Sequence, residues 1–139
     1  MNRSSGKTAD ILLETIGTAF SVCKVADYSG IDLAQPFVFT GSTDAEKSLV
    51  CPTALVPGNT LEREDGWKGF RVRGVLDFSL IGILAGITEV LAEAEVGVFV
   101  VSTYNTDYVF TRETHFEKAM LALKAAGYTI PEGSGCSKA

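Results

Sequence analysis

The sequence predicts an α+β domain whose strands and helices follow the order β-α-β-β-α-β. Apolar residues recur at helical spacing from Leu80 to Leu91, and Phe116, Met120 and Leu123 give a second helix its buried face. Stretches with the alternating apolar pattern of strands lie before, between and after these two helices. This order is typical of the ferredoxin-like fold, in which an antiparallel sheet carries its helices on one face.

The composition is that of one globular domain or of two small subdomains with a shared core. The 139 residues are 46% hydrophobic and carry a net charge of −5. Scattered basic residues on an acidic chain exclude the usual nucleic-acid binder, and no polybasic cluster or membrane-spanning run is present. Cys23 and Cys51, which lack CxxC spacing, are expected to be buried thiols. We therefore expect a cytoplasmic protein without nucleic-acid or membrane partners.

The first half of the chain is rich in strand patterns and turns. Its predicted elements are strands at 11–15 and 20–25, a turn-rich segment at 27–36, a hairpin at 37–51, one helical turn at 52–55 and a charged surface linker at 58–66.

The second half is more regular. Its predicted elements are a strand at 67–76, a helix at 80–94, a strand at 96–103, a turn at 104–107, a returning strand at 108–111, a helix from 114 and a short strand at 128–130. Asp77 or Ser79 is expected to cap the first helix, and residues 114–117 have the pattern of a capping box that opens the second. Gly127 is expected just past the end of that helix. The unbroken apolar run at 96–103 predicts a central, covered strand.

The chain also contains an internal repeat. Residues of the strand at 20–27 recur 50 positions later, at 70–77, and the hairpin at 37–51 matches residues 98–111 at an offset of about 60. The difference in offset corresponds to about one three-turn helix, which follows Asp77 and is reduced to a stub after Asp27. We therefore predict two copies of one unit, with flexible ends. The predicted ranges are a flexible N-terminus at 1–9, a degenerate first copy at 10–60, a complete second copy at 61–130 and a flexible tail at 131–139.

Two polar loops of the second copy are expected at the same end of the sheet. In this topology the first two strands run parallel through a right-handed crossover, so that the loops leaving them share an end. The loop at 77–79 precedes a helix N-terminus, which favours a carboxylate, and the turn at 104–107 carries an acidic residue, which favours a cation. A free amino acid carries both charges. Capping and turn chemistry alone would also select the same residue types.

Catalytic and metal chemistry have little support. His115, the single histidine, is expected to be an ordinary exposed helix residue, and no nucleophile–His–acid set can be assembled. The acidic run at 62–65 has the pattern of a solvated linker, and no phosphate-binding glycine loop is present, so we expect no metal and no cofactor. A hydrolase of the acylphosphatase type would need an arginine-bearing anion loop and an asparagine, for which Arg63 and Asn105 are the loose candidates.

Three segments of the chain resemble the ACT-domain family. They are residues 76–84, residues 101–109 with their run S-T-Y-x-T-D, and the closing residues 121–127. The resemblance is closest to small stand-alone ACT proteins related to the regulatory half of aspartate kinase, and the arginine-sensing CASTOR-type proteins share the pattern. It covers nearly the whole chain.

The resemblance implies a non-catalytic, homodimeric regulatory module that binds a small amino acid at an interface between ACT units. Family members use the loop between the first strand and helix, together with neighbouring strand ends. Carried over position by position, the ligand-binding residues are Asp77, Phe78, Ser79, Leu80 and Gly82, together with Thr103, Thr106 and Asp107. The effector's carboxylate is expected on backbone N–H groups at the start of the first helix. The alternative is a protein-interaction or assembly module with no surviving ligand site.

Overall fold

Eight regular elements and two 3₁₀ turns make up the computed structural model, which describes residues 11–73 and 82–131. The elements are β1 (Leu12–Val25), β2 (Phe39–Ser42), β3 (Lys47–Pro52), β4 (Thr60–Arg73), α1 (Ile83–Glu93), β5 (Val98–Ser102), β6 (Asp107–Arg112) and α2 (Phe116–Ala125), with 3₁₀ turns at Thr53–Leu55 and Glu113–His115. The strands form one sheet in the order β2-β3-β1-β4-β6-β5. The predicted α+β class is confirmed.

The chain forms two compact units. We call residues Thr18–Trp67 the inserted unit, and residues Met1–Gly17 with Lys68–Ala139 the helical unit. Strands β1 and β4 each contribute residues to both. The predicted repeat ranges, 10–60 and 61–130, stay a prediction, because compactness does not by itself define the copies of a repeat.

The two described helices, α1 and α2, bury their apolar faces against one face of the sheet. Their fully buried residues include Ile87, Leu91 and Leu123, and these pack with Phe70 and Val72 of β4. The predicted buried faces of the helices are therefore confirmed at these positions. Because side chains alternate along a strand, the β4 residues between and beyond that pair lie on the opposite face of the sheet.

Helix α2 ends at a glycine, as predicted. Gly127 has a φ of 104°, a left-handed conformation that favours glycine. Its N–H donates to the Lys124 carbonyl at 3.0 Å, and the N–H of Tyr128 donates to the Leu123 carbonyl at 3.1 Å. These two bonds define a Schellman motif, which satisfies carbonyls that the helix itself leaves open.

Helix α1 begins without a side-chain cap. Its first residue is Ile83, and its N-cap position is occupied by Gly82 with a φ of 89°. The predicted caps, Asp77 and Ser79, lie outside the described residues. The observed bounds therefore fall within the predicted helix at 80–94 and begin three residues later.

The predicted capping box at 114–117 is wrong. Residues Glu113–His115 form a 3₁₀ turn, so Thr114 lies inside a helical turn and not in the extended conformation that an N-cap requires. His115 takes the N-cap position of α2 without a side-chain hydrogen bond to the helix. A local sequence pattern cannot reveal this extra turn, because the turn supplies the same helical spacing.

Two predictions about strands in the first half are wrong. Residues 58–66 were predicted as a linker, but β4 begins at Thr60. The side chains at 61–65 are exposed, and their charges correctly indicated contact with solvent. Their backbone nevertheless belongs to the sheet, where β4 lies beside β1. The two strands predicted at 11–15 and 20–25 are one continuous strand, β1. By contrast, the predicted hairpin and helical turn that follow are confirmed as β2, β3 and Thr53–Leu55.

The apolar strand β5 is not central, which corrects a third prediction. Among the described strands it lies at the end of the order, paired with β6, and its residues at 98–101 are half buried. Val98 and Val100 pack against the core below the helices, while the neighbouring Phe99 stacks on Phe110 at 4.9 Å on the other face. Both faces of this edge strand therefore use apolar side chains, and this produces the unbroken run in the sequence.

The inserted unit has its own small core without an α-helix. Five buried residues form it, and they pack against half-buried side chains of the loop after β1 and of the first 3₁₀ turn. The core residues are Cys23, Val25, Ile31, Leu49 and Cys51. The prediction that Cys23 and Cys51 are buried thiols is confirmed.

Candidate functional site

The turn between β5 and β6 is held by the side chain of its first threonine. The Thr103 N–H and its hydroxyl Oγ1 both donate to the Thr106 carbonyl, at 2.8 and 3.0 Å. The Thr106 N–H in turn donates to Thr103 Oγ1 at 3.4 Å. Ser102 and Asp107 close the hairpin as directly opposed residues. The backbone of the turn is therefore fixed by its own residues.

A second threonine attaches this turn to β4. Thr106 Oγ1 donates a hydrogen bond to the Val72 carbonyl at 2.8 Å. Val72 is the next-to-last residue of β4, and the chain then enters the segment 74–81, which lies outside the described residues. The turn therefore lies against the end of β4 from which the predicted ligand loop starts.

Asp107 combines a fixed position with an available oxygen. Its Oδ1 accepts a hydrogen bond from Ser102 Oγ at 2.5 Å, and the residue is half buried. From the described residues, Oδ2 accepts no hydrogen bond. A carboxylate held in this way can accept further bonds from an ammonium or guanidinium group.

Half of the predicted ligand-binding residues can be placed. Gly82 lies at the start of α1, where an added Cβ would contact nothing within 4 Å. Its positive φ, and not crowding, is what requires glycine. Thr103, Thr106 and Asp107 lie together in the β5–β6 turn. Asp77, Phe78, Ser79 and Leu80 are outside the described residues, so the set as a whole stays a prediction.

A polar cluster on the opposite face of the helical unit was missed by the sequence analysis. Arg71 Nε and Arg73 Nη1 both donate to Glu14 Oε1, at 2.9 and 3.0 Å, and Arg71 Nη1 donates to the Tyr108 hydroxyl at 3.1 Å. We call Glu14, Arg71, Arg73 and Tyr108 the three-strand cluster, because they come from β1, β4 and β6. Burial lowers the pKa of Arg71, but its hydrogen bonds to Tyr108 and Glu14 outweigh this and raise the pKa overall. The only sequence signal was the alternation of arginine with apolar residues at 70–73.

Strand β4 carries a different arginine in the inserted unit. Arg63 donates from Nε and Nη2 to the two oxygens of Asp65, at 2.9 and 3.3 Å. Asp65 also accepts from the buried Ser21 hydroxyl at 2.5 Å, and the bonds from Arg63 and Ser21 lower its pKa. Arg63 therefore belongs to a strand and is held by a carboxylate, which does not fit the anion loop of an acylphosphatase-type hydrolase.

The described residues contain neither a group of three metal ligands nor a helix that could span a membrane. Within residues 11–73 and 82–131, no three His, Cys, Asp or Glu side chains are grouped as metal ligands would be. The described helices are too short to cross a bilayer. His115 is exposed at the start of α2.

Comparison with known proteins finds one matching family model. Residues 62–125 match the model of the ACT domain. The resemblance to the ACT family seen in the sequence is confirmed over this segment. No curated protein sequence matches the chain.

Solved structures extend the likeness to nearly the whole chain. Protein Atu0741 from Agobacterium tumefaciens is 27% identical, with 87% of this chain and 92% of that chain covered and a TM-score of 0.76. The regulatory subunit of aspartate kinase from Thermus thermophilus is 11% identical, with 82% and 95% covered and a TM-score of 0.56. Aspartate kinase from Clostridium acetobutylicum is 15% identical, with 91% and 36% covered and a TM-score of 0.64. For the two kinase structures the likeness concerns the fold.

Proposed function

We propose that this protein is a non-catalytic regulatory module that binds a free amino acid at an interface between ACT units. One observation carries the proposal: the bond from Thr106 Oγ1 to the Val72 carbonyl, which places the β5–β6 turn against the end of β4. In this arrangement Asp107 accepts the ammonium or a basic side chain of the effector. The carboxylate meets the loop at 77–80 and backbone N–H groups near Gly82.

The energetics suit an effector of ordinary cellular affinity. A dissociation constant between micromolar and millimolar corresponds to about 4–8 kcal/mol. Charge-assisted hydrogen bonds contribute about 1.5–3 kcal/mol each, so two or three of them at the two ends of a zwitterion supply much of that value. Asp107 offers one such acceptor in Oδ2, which the described residues leave open.

The regulatory output follows from binding between units. A ligand that contacts two ACT units stabilises their closed arrangement, and a homodimer or a partner protein reads that change. The regulatory subunit of Thermus aspartate kinase shares this fold, which supports a regulatory role. The dimeric state and the cytoplasmic location stay predictions.

One observation favours a second function. The hydroxyls of Ser102, Thr103 and Thr106 are all bonded within the turn or to β4. Turn stability alone accounts for these residue types, so an assembly module without a ligand is the alternative. A thermal-shift screen of the twenty amino acids separates the two: stabilisation by one or two of them supports sensing, and a flat panel supports assembly.

The role of Asp107 is tested by truncation. We expect Asp107→Ala to weaken binding of the amino acid found in the screen by about tenfold or more, because one charge-assisted acceptor is lost. Far-UV circular dichroism should stay unchanged, since the residue lies at the rim of a turn. Isothermal titration calorimetry measures the affinity.

Lys47→Ala is the matched control, because Lys47 begins β3 as Asp107 begins β6 and is also half buried. Its affinity should equal that of the parent. If Asp107→Ala and the parent bind the effector equally well, Asp107 does not belong to the site.

A further inference from the structure

We propose that the thiols of Cys23 and Cys51 form a two-coordinate site for a soft metal ion, with cuprous copper, Cu⁺, as its occupant. Cys23 lies on β1 and Cys51 on β3, and both belong to the core of the inserted unit. The site lies within that unit and is separate from the proposed amino-acid site.

The strand register brings the two side chains together. Cys23 lies directly opposite Leu49, which is two residues before Cys51 on β3. The cysteines are therefore diagonal neighbours on adjacent antiparallel strands, and their side chains point to the same face of the sheet. Burial raises the pKa of the Cys51 thiol, and repulsion with Cys23 raises it further, so the two sulfurs lie within electrostatic reach of each other.

The span between the two positions suits a bridging ion better than a disulfide. Diagonal neighbours on antiparallel strands are about 7–8 Å apart, with their Cβ atoms somewhat closer. A disulfide needs Cβ atoms about 3.8 Å apart and Cα atoms within about 7 Å. Two metal–sulfur bonds of about 2.3 Å in a line separate the sulfurs by about 4.6 Å, which adds the length that a disulfide lacks. Both thiols are free in the structure.

The number of ligands selects the kind of ion. Within residues 11–73 and 82–131, no third His, Cys, Asp or Glu completes a group around the two thiols. Structural zinc sites almost always have four ligands, and calcium and magnesium require oxygen ligands. Thiolates favour soft ions such as Cu⁺, which is stable between two sulfurs in a line. The pair of thiols therefore fits cuprous copper and not the harder divalent ions.

The surroundings exclude water and include a positive group. Both thiols are buried, and half-buried side chains of the loop after β1 and of the first 3₁₀ turn cover them. Burial raises the pKa of the Cys23 thiol, Arg63 lowers it and Asp65 raises it, while Arg63 also lowers that of Cys51. A guanidinium therefore acts on both sulfurs and favours their thiolate forms.

Binding exchanges protons for the metal ion. Two S–H bonds break, two Cu–S bonds form, and two protons pass to the solvent while copper stays in the +1 state. The product is a bis-thiolate anion near the Arg63 guanidinium. The cover over the thiols consists of a loop and a 3₁₀ turn, and segments of this kind open locally without global unfolding, which gives the ion a path to the core.

The experiment is an anaerobic titration of the full chain with Cu⁺ in competition with a chelator of known affinity, and the thiolate–copper absorbance in the ultraviolet measures binding. We expect saturation at one ion per chain. Cys23→Ala and Cys51→Ala should each weaken binding by about a hundredfold or more, because the second sulfur is no longer held at a high effective concentration. Zn²⁺ should not displace the copper.

Cys136→Ala is the matched control, because it removes a thiol from the chain but leaves both core thiols in place. Its affinity for Cu⁺ should equal that of the parent, and X-ray absorption of its copper-loaded form should show two sulfur neighbours. Asp107→Ala should also bind Cu⁺ like the parent, which distinguishes this site from the proposed effector site.

The inference is overturned if the native chain does not bind Cu⁺, if either core variant binds it like the parent, or if Cys136→Ala loses it. Unfolding of the chain on loading, seen by far-UV circular dichroism, would equally count against a site built into the folded core. Cys23→Val and Cys51→Val, which fill the space of the sulfur, replace an alanine variant that fails to fold.

Discussion

The hairpins β2–β3 and β5–β6 have the same kind of turn but differ in the residue that follows the turn. Thr43 donates its N–H to the Glu46 carbonyl at 2.9 Å and its hydroxyl to the same carbonyl at 3.3 Å. Thr103 makes the same two bonds to Thr106, 60 positions later, at 2.8 and 3.0 Å. The residue that opens the next strand is then basic in one hairpin, Lys47, and acidic in the other, Asp107.

This difference distinguishes the residues that stabilise the turn from the residue expected to bind a ligand. Because the threonine frame occurs in both hairpins, it is explained by turn stability and says nothing about a ligand. The acidic residue at this position belongs to one hairpin alone, since Lys47 donates to the Ser42 hydroxyl where Asp107 accepts from Ser102. Recognition of a positive group is therefore expected in the helical unit and not in the inserted unit.

The two units diverge again after the following 3₁₀ turn. In the helical unit, Phe116 follows the turn with helical dihedrals, φ −65° and ψ −41°, and α2 continues. In the inserted unit, Val56 follows the turn with φ −61° and ψ 126°, which is extended. Val56 precedes Pro57, which disfavours the helical conformation and lacks the N–H that a helix would need. The proline, together with the short stretch at 56–59 before β4 begins, therefore explains why the inserted unit has a loop where the helical unit has α2.

The largest expected effect tests how much the helices stabilise their unit. Leu91 of α1 is fully buried, and Leu91→Ala should lower the free energy of unfolding by about 2–5 kcal/mol, because the methyl groups leave a cavity in the core. Leu55 of the first 3₁₀ turn covers the inserted core and is half buried. Leu55→Ala should lower the free energy of unfolding by about 1 kcal/mol. Urea denaturation measures both, and an equal loss would show that loop and helix cover their cores equally well.

A smaller expected effect tests whether the two hairpin turns are equally stabilised by their threonines. Thr103→Ala and Thr43→Ala each remove the side-chain bonds that hold their turn, so each should cost about 0.5–1.5 kcal/mol. If the two turns are equivalent, the two losses in the free energy of unfolding should agree within about 0.5 kcal/mol. Differential scanning calorimetry of both variants measures them. A loss confined to Thr103→Ala would mean that the two turns are not equivalent.

The features that the sequence predicted are local ones. The hairpins depend on turn residues such as Thr43 and Thr103, and the end of α2 depends on Gly127, whose φ favours glycine. The buried face of each helix follows from spacing alone. In each of these cases neighbouring residues carry the signal.

The features that were missed depend on pairing between distant parts of the chain. The charged residues after Thr60 are strand because β1 lies beside them, and the position of β5 at the edge of the sheet is set by the strand order. The three-strand cluster needs Glu14 and Arg71, which are 57 positions apart, on neighbouring strands. Alternation along one strand predicts which side a residue faces, but the register between strands decides which residue it meets.

The smallest expected effect concerns the next-to-last residue of the hairpin's second strand, which is Cys51 in the inserted unit and the buried Thr111 in the helical unit. Burial raises the pKa of the Cys51 thiol from 9.0 to about 11. Below pH 9 the thiol is neutral in both the folded and the unfolded chain. Between pH 9 and about 11 the unfolded chain ionises and the folded chain resists, so the stability supplied by this thiol is lost as the pH rises. Thr111 does not titrate in this range.

Cys51→Ala should therefore remove part of the alkaline loss of stability, which urea denaturation at pH 8, 9, 10 and 11 measures against the parent as a difference. The difference between the two curves reports the Cys51 thiol together with its repulsion with Cys23, which also raises the pKa of Cys51. Cys23, whose pKa burial also raises, stays in place in both. Parallel curves for the two proteins would mean that Cys51 ionises as easily in the folded chain as in the unfolded one. In that case the loop that replaces the helices admits water to the inserted core.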